Sequence, residues 1–316
     1  MPDDTTPTAE EIAVFNERFI RGLDQDAVES CKTASVEGSN MIRLRIRENG
    51  FFRHIIPIKP VTDADLDRSL TSELPRMIED MESASPGSVS IPFNGSPESV
   101  TYRGAKFEIV FSKLATREYV KNVDELRTYK MDLRQLTTDN ALKDMQTEED
   151  ARLIKTADRV VGSVGGVGES NENQNTLIAG AITRSTYPYL KNNLQDLNLN
   201  IGVYLMNRHT AVTFETWGRD EIGGDLSQKI FEEGLAGMDK FKIGGVPHIA
   251  TIKRDLVPDN VVYQFTEPGY LGRFYSLEDV TMFVERRKDI LRFSAHEKIG
   301  MQIANVRGIF KTSFTS

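Results

Sequence analysis

The strongest constraint on the fold lies in residues 51–112, where apolar side chains are present but never gathered into an element that could enclose them. Phe51, Phe52, Ile55, Ile56 and Ile58 are crowded together and closed by Pro57 and Pro60. Those prolines exclude a central strand. A polar, partly helical stretch follows from Asp63 to Met81. Then come short strand signals. Val89, Ile91 and Phe93 alternate, and Asn94-Gly95 is a strong turn dipeptide. Val100 and Tyr102 lead to Arg103-Gly104, after which Phe107, Ile109 and Phe111 alternate with Lys106, Glu108 and Val110. The segment reads as extended strands and turns with little core of its own. Such a segment must lean on something else.

Residues 1–38 pose the same problem. Pro2 to Thr8 are polar and turn-prone, and Glu10 and Glu11 suit the first turn of a short helix. Ile12, Phe15, Phe19, Ile20 and Leu23 repeat at helical spacing. A short amphipathic piece cannot bury its stripe alone and needs the domain body or a neighbouring subunit. Residues 41–47 admit two readings. Ile42, Leu44 and Ile46 alternate with three arginines as in a strand, while Ser39 could cap a helix and Gly50 end one.

Residues 122–161 are the most helical part. Asn122 can cap, Leu126, Tyr129, Leu133 and Leu136 form a stripe, and Thr137-Thr138-Asp139-Asn140 is read as an interruption. A second helix then carries Leu142, Met145, Leu153, Ile154 and Val160-Val161, with Glu148, Glu149 and Asp150 assigned to its wet face. The run Gly162–Gly168 follows a helix and has no Lys in phosphate-loop position, so it is read as a mobile connector. Beyond it helices and strands alternate. Strands are expected at Ile201–Leu205, Ala211–Phe214, Ile243–Ala250 and Val261–Phe265, and a helix capped by Asp225. Further strands fall within 280–315, with Arg286-Arg287-Lys288 at a hairpin tip.

The sequence offers no catalytic, cofactor-binding or metal-binding candidate residue. His54, His209, His248 and His296 form none of the zinc spacings. His248 lies in an apolar strand and reads as a core or interface side chain. The single Cys31 excludes internal disulfides and CxxC motifs. No GxSxG elbow is present. The carboxylate pairs sit in polar surroundings, whereas a general acid needs an apolar setting. Trp217 is equally a core residue or an interface anchor. The net charge of −8 argues against free-standing nucleic-acid binding. No apolar run approaches the roughly 20 residues that span a bilayer, and the acidic N-terminus lacks the pattern of a secretory signal, so a cytosolic product is expected.

Against this background the order of segments resembles the Hong Kong 97-type fold of tailed-bacteriophage major capsid proteins. The resemblance is carried by Leu205-Met206-Asn207, the helix from Asp225, the stretch Lys242–Thr251 with Gly245-Val246-Pro247, Val261–Phe265 and Leu271-Gly272. The helix bearing Thr147–Asp150 and Val160-Val161-Gly162 looks like the spine helix of that family. The resemblance implies an α+β fold. Residues 1–50 would be an N-terminal arm and 51–112 an extended β-hairpin loop lying across a neighbouring subunit. Residues 113–179 and 281–316 would form a peripheral domain with its spine at about 139–161, and 180–280 an axial α/β domain. The implied role is a structural subunit, not an enzyme. It would self-assemble through hexameric and pentameric capsomers into an icosahedral virion shell, made in the host cytoplasm. The shell would enclose double-stranded DNA without sequence-specific binding, involve no membrane, and draw on scaffolding, portal and decoration proteins. A compartment shell of the encapsulin kind is the related alternative, and an α/β enzyme the distant one.

Overall fold

The computed structural model describes residues 50–68, 73–81, 88–99, 101, 104–122, 133–170, 172–217 and 240–315. The expected helices at 9–23 and from Asp225, the 41–47 segment and Cys31 lie outside them.

The fold is α+β, built on two sheets and one long helix. The first sheet has strands β1 (Ile58–Pro60), β2 (Arg76–Met81), β3 (Ala105–Ala115), β4 (Tyr119–Asn122), β10 (Gly272–Arg287) and β11 (Ile290–Ile303). Their order is β1-β10-β11-β3-β2, with β4 also pairing β11. β10 and β11 form the dominant hairpin, with Val284 opposite Phe293 and Arg287 opposite Ile290. Its tip is the expected one, and Lys288 there takes a left-handed φ of 56°. β3 is shared: Phe111–Ala115 pairs with β11 and Ala105–Val110 with β2. The β2–β3 hairpin therefore grows outward from the sheet.

The second sheet runs β5-β12-β9-β6-β8-β7, from β5 (Asn175–Ala179), β6 (Ile201–Asn207), β7 (Lys240–Ile243), β8 (Val246–Thr251), β9 (Val261–Thr266) and β12 (Ile309–Thr315). Its central strands are buried on both faces, so β9 has no exposed position. That explains its continuous apolar sequence, as in strands covered on both sides. Val203, Leu205, Tyr263 and Phe265 join the main core. Tyr204, Met206 and Val262 point the other way, into a second core under helix α3 (Tyr187–Gln195).

Between the sheets runs α2 (Leu133–Val161), 29 residues in one piece. At 1.5 Å per residue it is about 43 Å long. It passes straight through the expected interruption at 137–140, where Thr, Asp and Asn each lower helix propensity by well under about 1 kcal/mol. Ala141, Met145, Leu153, Ile154, Ala157, Val160 and Val161 are its buried apolar positions. Its end is closed by the glycine run that sequence read as a mobile connector. Gly162 takes φ +75°, and the Glu169 amide donates to the Val160 carbonyl at 3.1 Å. A side chain at Gly168 would stand 2.2 Å from that carbonyl oxygen. The glycines let the chain fold back onto the helix end.

Three further expectations differ from the structure. Phe51–Ile55 is a helix (α1) buried in the main core, not the start of an extended segment. Ala211–Phe214 is helical, because the Asn207 side chain caps α4 (Arg208–Ala211) by accepting from the Thr210 amide at 2.6 Å and turns the chain off β6. Val89–Phe93 forms no strand. β10 runs through residues 280 and 281, and β12 pairs with β5 and β9 in the second sheet.

Candidate functional site

Two sites stand out, one buried and one exposed. The buried site begins with the spacing on α2. Glu149 and Asp150 fall in helical register with Met145, Leu153 and Ile154, so both carboxylates are carried into the core and are fully buried. The polar stretch around them predicts a solvated face, and the helical register overrides it. Arg53 on α1 meets them. Its Nε donates to Glu149 Oε2 at 3.0 Å and its Nη2 to Glu149 Oε1 at 2.6 Å, a two-pronged pairing. The same Nη2 donates to Glu297 Oε2 on β11 at 3.2 Å. The side chains of Arg53, Glu149 and Glu297 are 7%, 0% and 1% exposed. Asp150 accepts the Phe52 amide at 3.1 Å and the Lys253 ammonium at 2.5 Å. Arg53 lies over the Phe274 ring and Lys253 over the Phe51 ring.

Five charged groups thus tie α1, α2, β11 and the turn after β8 together. Three carboxylates face two cations, leaving one negative charge in excess. Burial, the charge of Glu149 and the hydrogen bond to it push the Glu297 carboxyl well above the usual carboxylate range, against the pull of Arg53. Burial raises Asp150 to about 6 despite Lys253. For Arg53, burial works against the charge, but Glu149, Glu297 and Asp279 outweigh it and hold the guanidinium charged. Glu297 Oε1 has no hydrogen-bond partner among the described residues. The arrangement is a clamp: its groups reach across 96 and 244 residues of sequence, and its carboxylates present no face to a substrate.

The remaining flagged residues are placed as follows. His248 is a core residue, with Nδ1 2.8 Å from the Val246 carbonyl and Nε2 3.1 Å from the Tyr187 hydroxyl. Trp217 is half-buried and packs edge-on against Tyr187 and Phe214. His296 stacks on Phe283 and lies 3.6 Å from Glu278. His209 is exposed, 3.8 Å from Asp259. Among the described residues no group of three or more His, Cys, Asp or Glu could hold a metal ion, and no helix is long and apolar enough to cross a membrane.

The exposed site is residues 88–99. Val89 is 81% exposed and Phe93 fully exposed, and Ile91 is also exposed. Local order comes from the Asn94-Gly95 turn, where the Gly95 amide donates to the Pro92 carbonyl at 2.8 Å. Nothing among the described residues covers these side chains.

With this geometry in hand, the architecture is that of the Hong Kong 97-type capsid fold. The chain is similar to the capsid of a native GTA particle, with a TM-score of 0.55 at 14% identity over 84% of this chain and 90% of that one. It is similar to the mature capsid of bacteriophage PhiM1, with a TM-score of 0.54 at 9% identity over 85% and 88%. It is also similar to a virus-like particle from Pyrococcus furiosus, with a TM-score of 0.52 at 14% identity over 91% and 100%. No family model matches the sequence, and no curated protein matches it.

Proposed function

We propose that the chain is the structural subunit of a tailed-phage head shell, the major capsid protein, and not an enzyme. The observation that carries this reading is the fold: over more than four fifths of its length the chain follows proteins whose structures are capsids. The exposed segment 88–99 supports it. Apolar side chains that a single subunit leaves in water call for a partner surface, and copies of the same chain supply it in a closed shell. The β2–β3 hairpin with its 82–104 connection serves as the extension loop, α2 as the spine. The body around the first sheet is the peripheral domain and the second sheet the axial domain. β5 and β12 belong to the second sheet, so the axial domain takes residues on both sides of 180–280.

Subunits associate as hexameric and pentameric capsomers. The shell encloses double-stranded DNA by geometry, consistent with the net charge of −8. Scaffolding, portal and decoration proteins are the further partners. The protein is made in the host cytoplasm and ends in the virion.

Expression of the full chain followed by electron microscopy and light scattering tests the reading. Closed particles or capsomers are expected. A compact 36 kDa monomer at high concentration, with no assembly under any condition, overturns it. The likeness to a virus-like particle supports a second reading, a compartment shell of the encapsulin kind. Particle contents separate the two: DNA for the head shell, cargo enzymes for the compartment.

A further inference from the structure

Residues 51–60 form a strap over one edge of the first sheet. α1 sets Phe51, Phe52, Ile55 and Ile56 into the main core. β1 then pairs with three residues of β10, Phe274 to Ser276. The Val61 amide closes the strap by donating to the Ser276 carbonyl at 2.8 Å. Pro57 and Pro60 have no amide to add to the ladder. Beside the strap lies a half-open cleft of about 300 Å³, lined by Arg53, Pro57, Ile58, Pro60, Ser276 and Asp279. The strap is thus fixed at its apolar end and thinly held at its other end, with a cleft leading to the clamp.

Glu297 is the group this arrangement burdens most. Arg53 from α1 and Glu149 from α2 face it directly. Behind them stand Asp150 of α2 with Lys253 from the turn after β8, and Asp279 of β10 beside Arg53. Its neighbour across the ladder on β3 is the apolar Leu114. His296 and Lys298 lie on the other face of β11, and His54 and Lys59 of the strap are exposed. Across these six groups, Arg53, Glu149, Asp150, Lys253, Asp279 and Glu297, four carboxylates are set against two cations. With the strap closed, an ionised Glu297 is a buried charge without a cation of its own, which is strongly disfavoured. With the strap lifted, water solvates Glu149 and Glu297, and Glu297 ionises as an ordinary carboxylate. Opening therefore releases a proton, so the closed form is favoured at low pH and yields as pH rises.

We infer that the strap 51–60 is a proton-operated latch, held down while Glu297 carries a proton and lifting, with the rest of the subunit still folded, when that proton leaves. Lifting uncovers the Phe274 ring and frees the edge of β10, a row of backbone groups to which another strand can pair. The latch belongs to a single subunit and does not rest on the shell reading.

Hydrogen exchange on the purified full chain, in the range where reclosing outruns exchange, tests it between about pH 6.5 and pH 8.5. Asp150, raised to about 6, is already ionised in the closed form there, so Glu297 alone sets the slope. Hydroxide catalysis by itself speeds an open amide about tenfold per pH unit. One proton released on opening multiplies the opening constant by about tenfold more per unit. The amides of Phe52, Ile56 and Val61, all hydrogen-bonded in the closed strap, are therefore expected to gain about a hundredfold per pH unit. They should also exchange faster than the amides of Val262 to Phe265 in β9. Glu297→Gln, which mimics the protonated acid, should return the strap amides to about tenfold per unit. A tenfold slope in the native chain overturns the inference, and so does a hundredfold slope that survives in Glu297→Gln. Strap amides that exchange no faster than those of β9 overturn it too, since only unfolding of the whole subunit would then release the proton.

Discussion

Residues 51–61 and 88–99 look alike in sequence and end in opposite places. Each is a short apolar run broken by proline beside polar stretches. Phe51, Phe52, Ile55 and Ile56 are buried at 5% or less, whereas Val89 and Phe93 stand almost wholly in water. The difference is made by what each run can reach. The first has a helical turn that sets Phe52 against Phe274, ring centres 4.2 Å apart, and it brings Arg53 to the carboxylates of α2 and β11. The second has only the Pro92–Gly95 turn and no strand to pair with. One run is enclosed by the subunit's core. The other is covered by nothing among the described residues.

The comparison breaks first if α1 is not an anchor. Phe52→Ala should lower stability by about 3–5 kcal/mol, since a fully buried aromatic is replaced by a cavity between α1, α2 and β10. Chemical denaturation measures it. A loss under about 1 kcal/mol would mean that the run is not held by the core.

Arg53→Ala comes next, at about 3 kcal/mol. The loss arises less from the missing bonds than from Glu149 left buried without its counter-charge. Replacing Arg53, Glu149 and Glu297 together by Met, Leu and Leu should recover most of that loss, because an apolar set of similar volume has no charge to desolvate. Failure of the triple variant to outperform Arg53→Ala in an unfolding experiment would show that the clamp does more than balance charge.

The clamp also carries a pH signature of smaller size. Glu297 and Asp150 have folded-state pKa values raised above their ordinary ones, so the folded state holds protons that the unfolded chain releases. Stability from these groups is therefore complete below about pH 4 and falls as pH rises, through about 6 for Asp150 and higher still for Glu297. Glu297→Gln keeps an acceptor for Arg53 and cannot ionise. Its advantage over the native chain should grow by about 1–2 kcal/mol between about pH 6 and pH 9. Parallel stability curves for the two proteins would remove Glu297 as the proton holder.

These outcomes bear on how much of the molecule was legible in its sequence. Three of the second-sheet strands, β6, β8 and β9, were, because apolar runs such as Val261–Phe265 and the turn Gly244-Gly245 are local signals that packing did not override. The β10–β11 tip was legible from Arg286-Arg287-Lys288 for the same reason. The clamp was not. Glu149-Asp150 lies in a polar stretch, and read along the chain it looks wet. Read at helical spacing, Met145, Glu149 and Leu153 share one face, and that periodicity was the available signal. Its partner Arg53 lies 96 residues away, and no local pattern links them. The place of β12 in the second sheet was hidden likewise, since sheet order is decided by pairings such as Thr312 with Thr176 and Val262, not by the strand's own residues.

The smallest effect on the subunit belongs to Phe93, and it decides the comparison most cleanly. Phe93→Ser removes a side chain that touches little, so subunit stability should move by no more than about 0.5 kcal/mol. If the 88–99 run is covered by a neighbouring copy, the same change removes an aromatic anchor from every intersubunit contact it makes. Such anchors dominate interface energies at about 2 kcal/mol or more each. In a shell the deficit repeats at every subunit, so particle yield in light scattering should collapse while the unfolding curve stays in place. Unchanged assembly with Phe93→Ser would mean that this run faces solvent in the particle too. The contrast with residues 51–61 would then be one of folding alone, with no part in assembly.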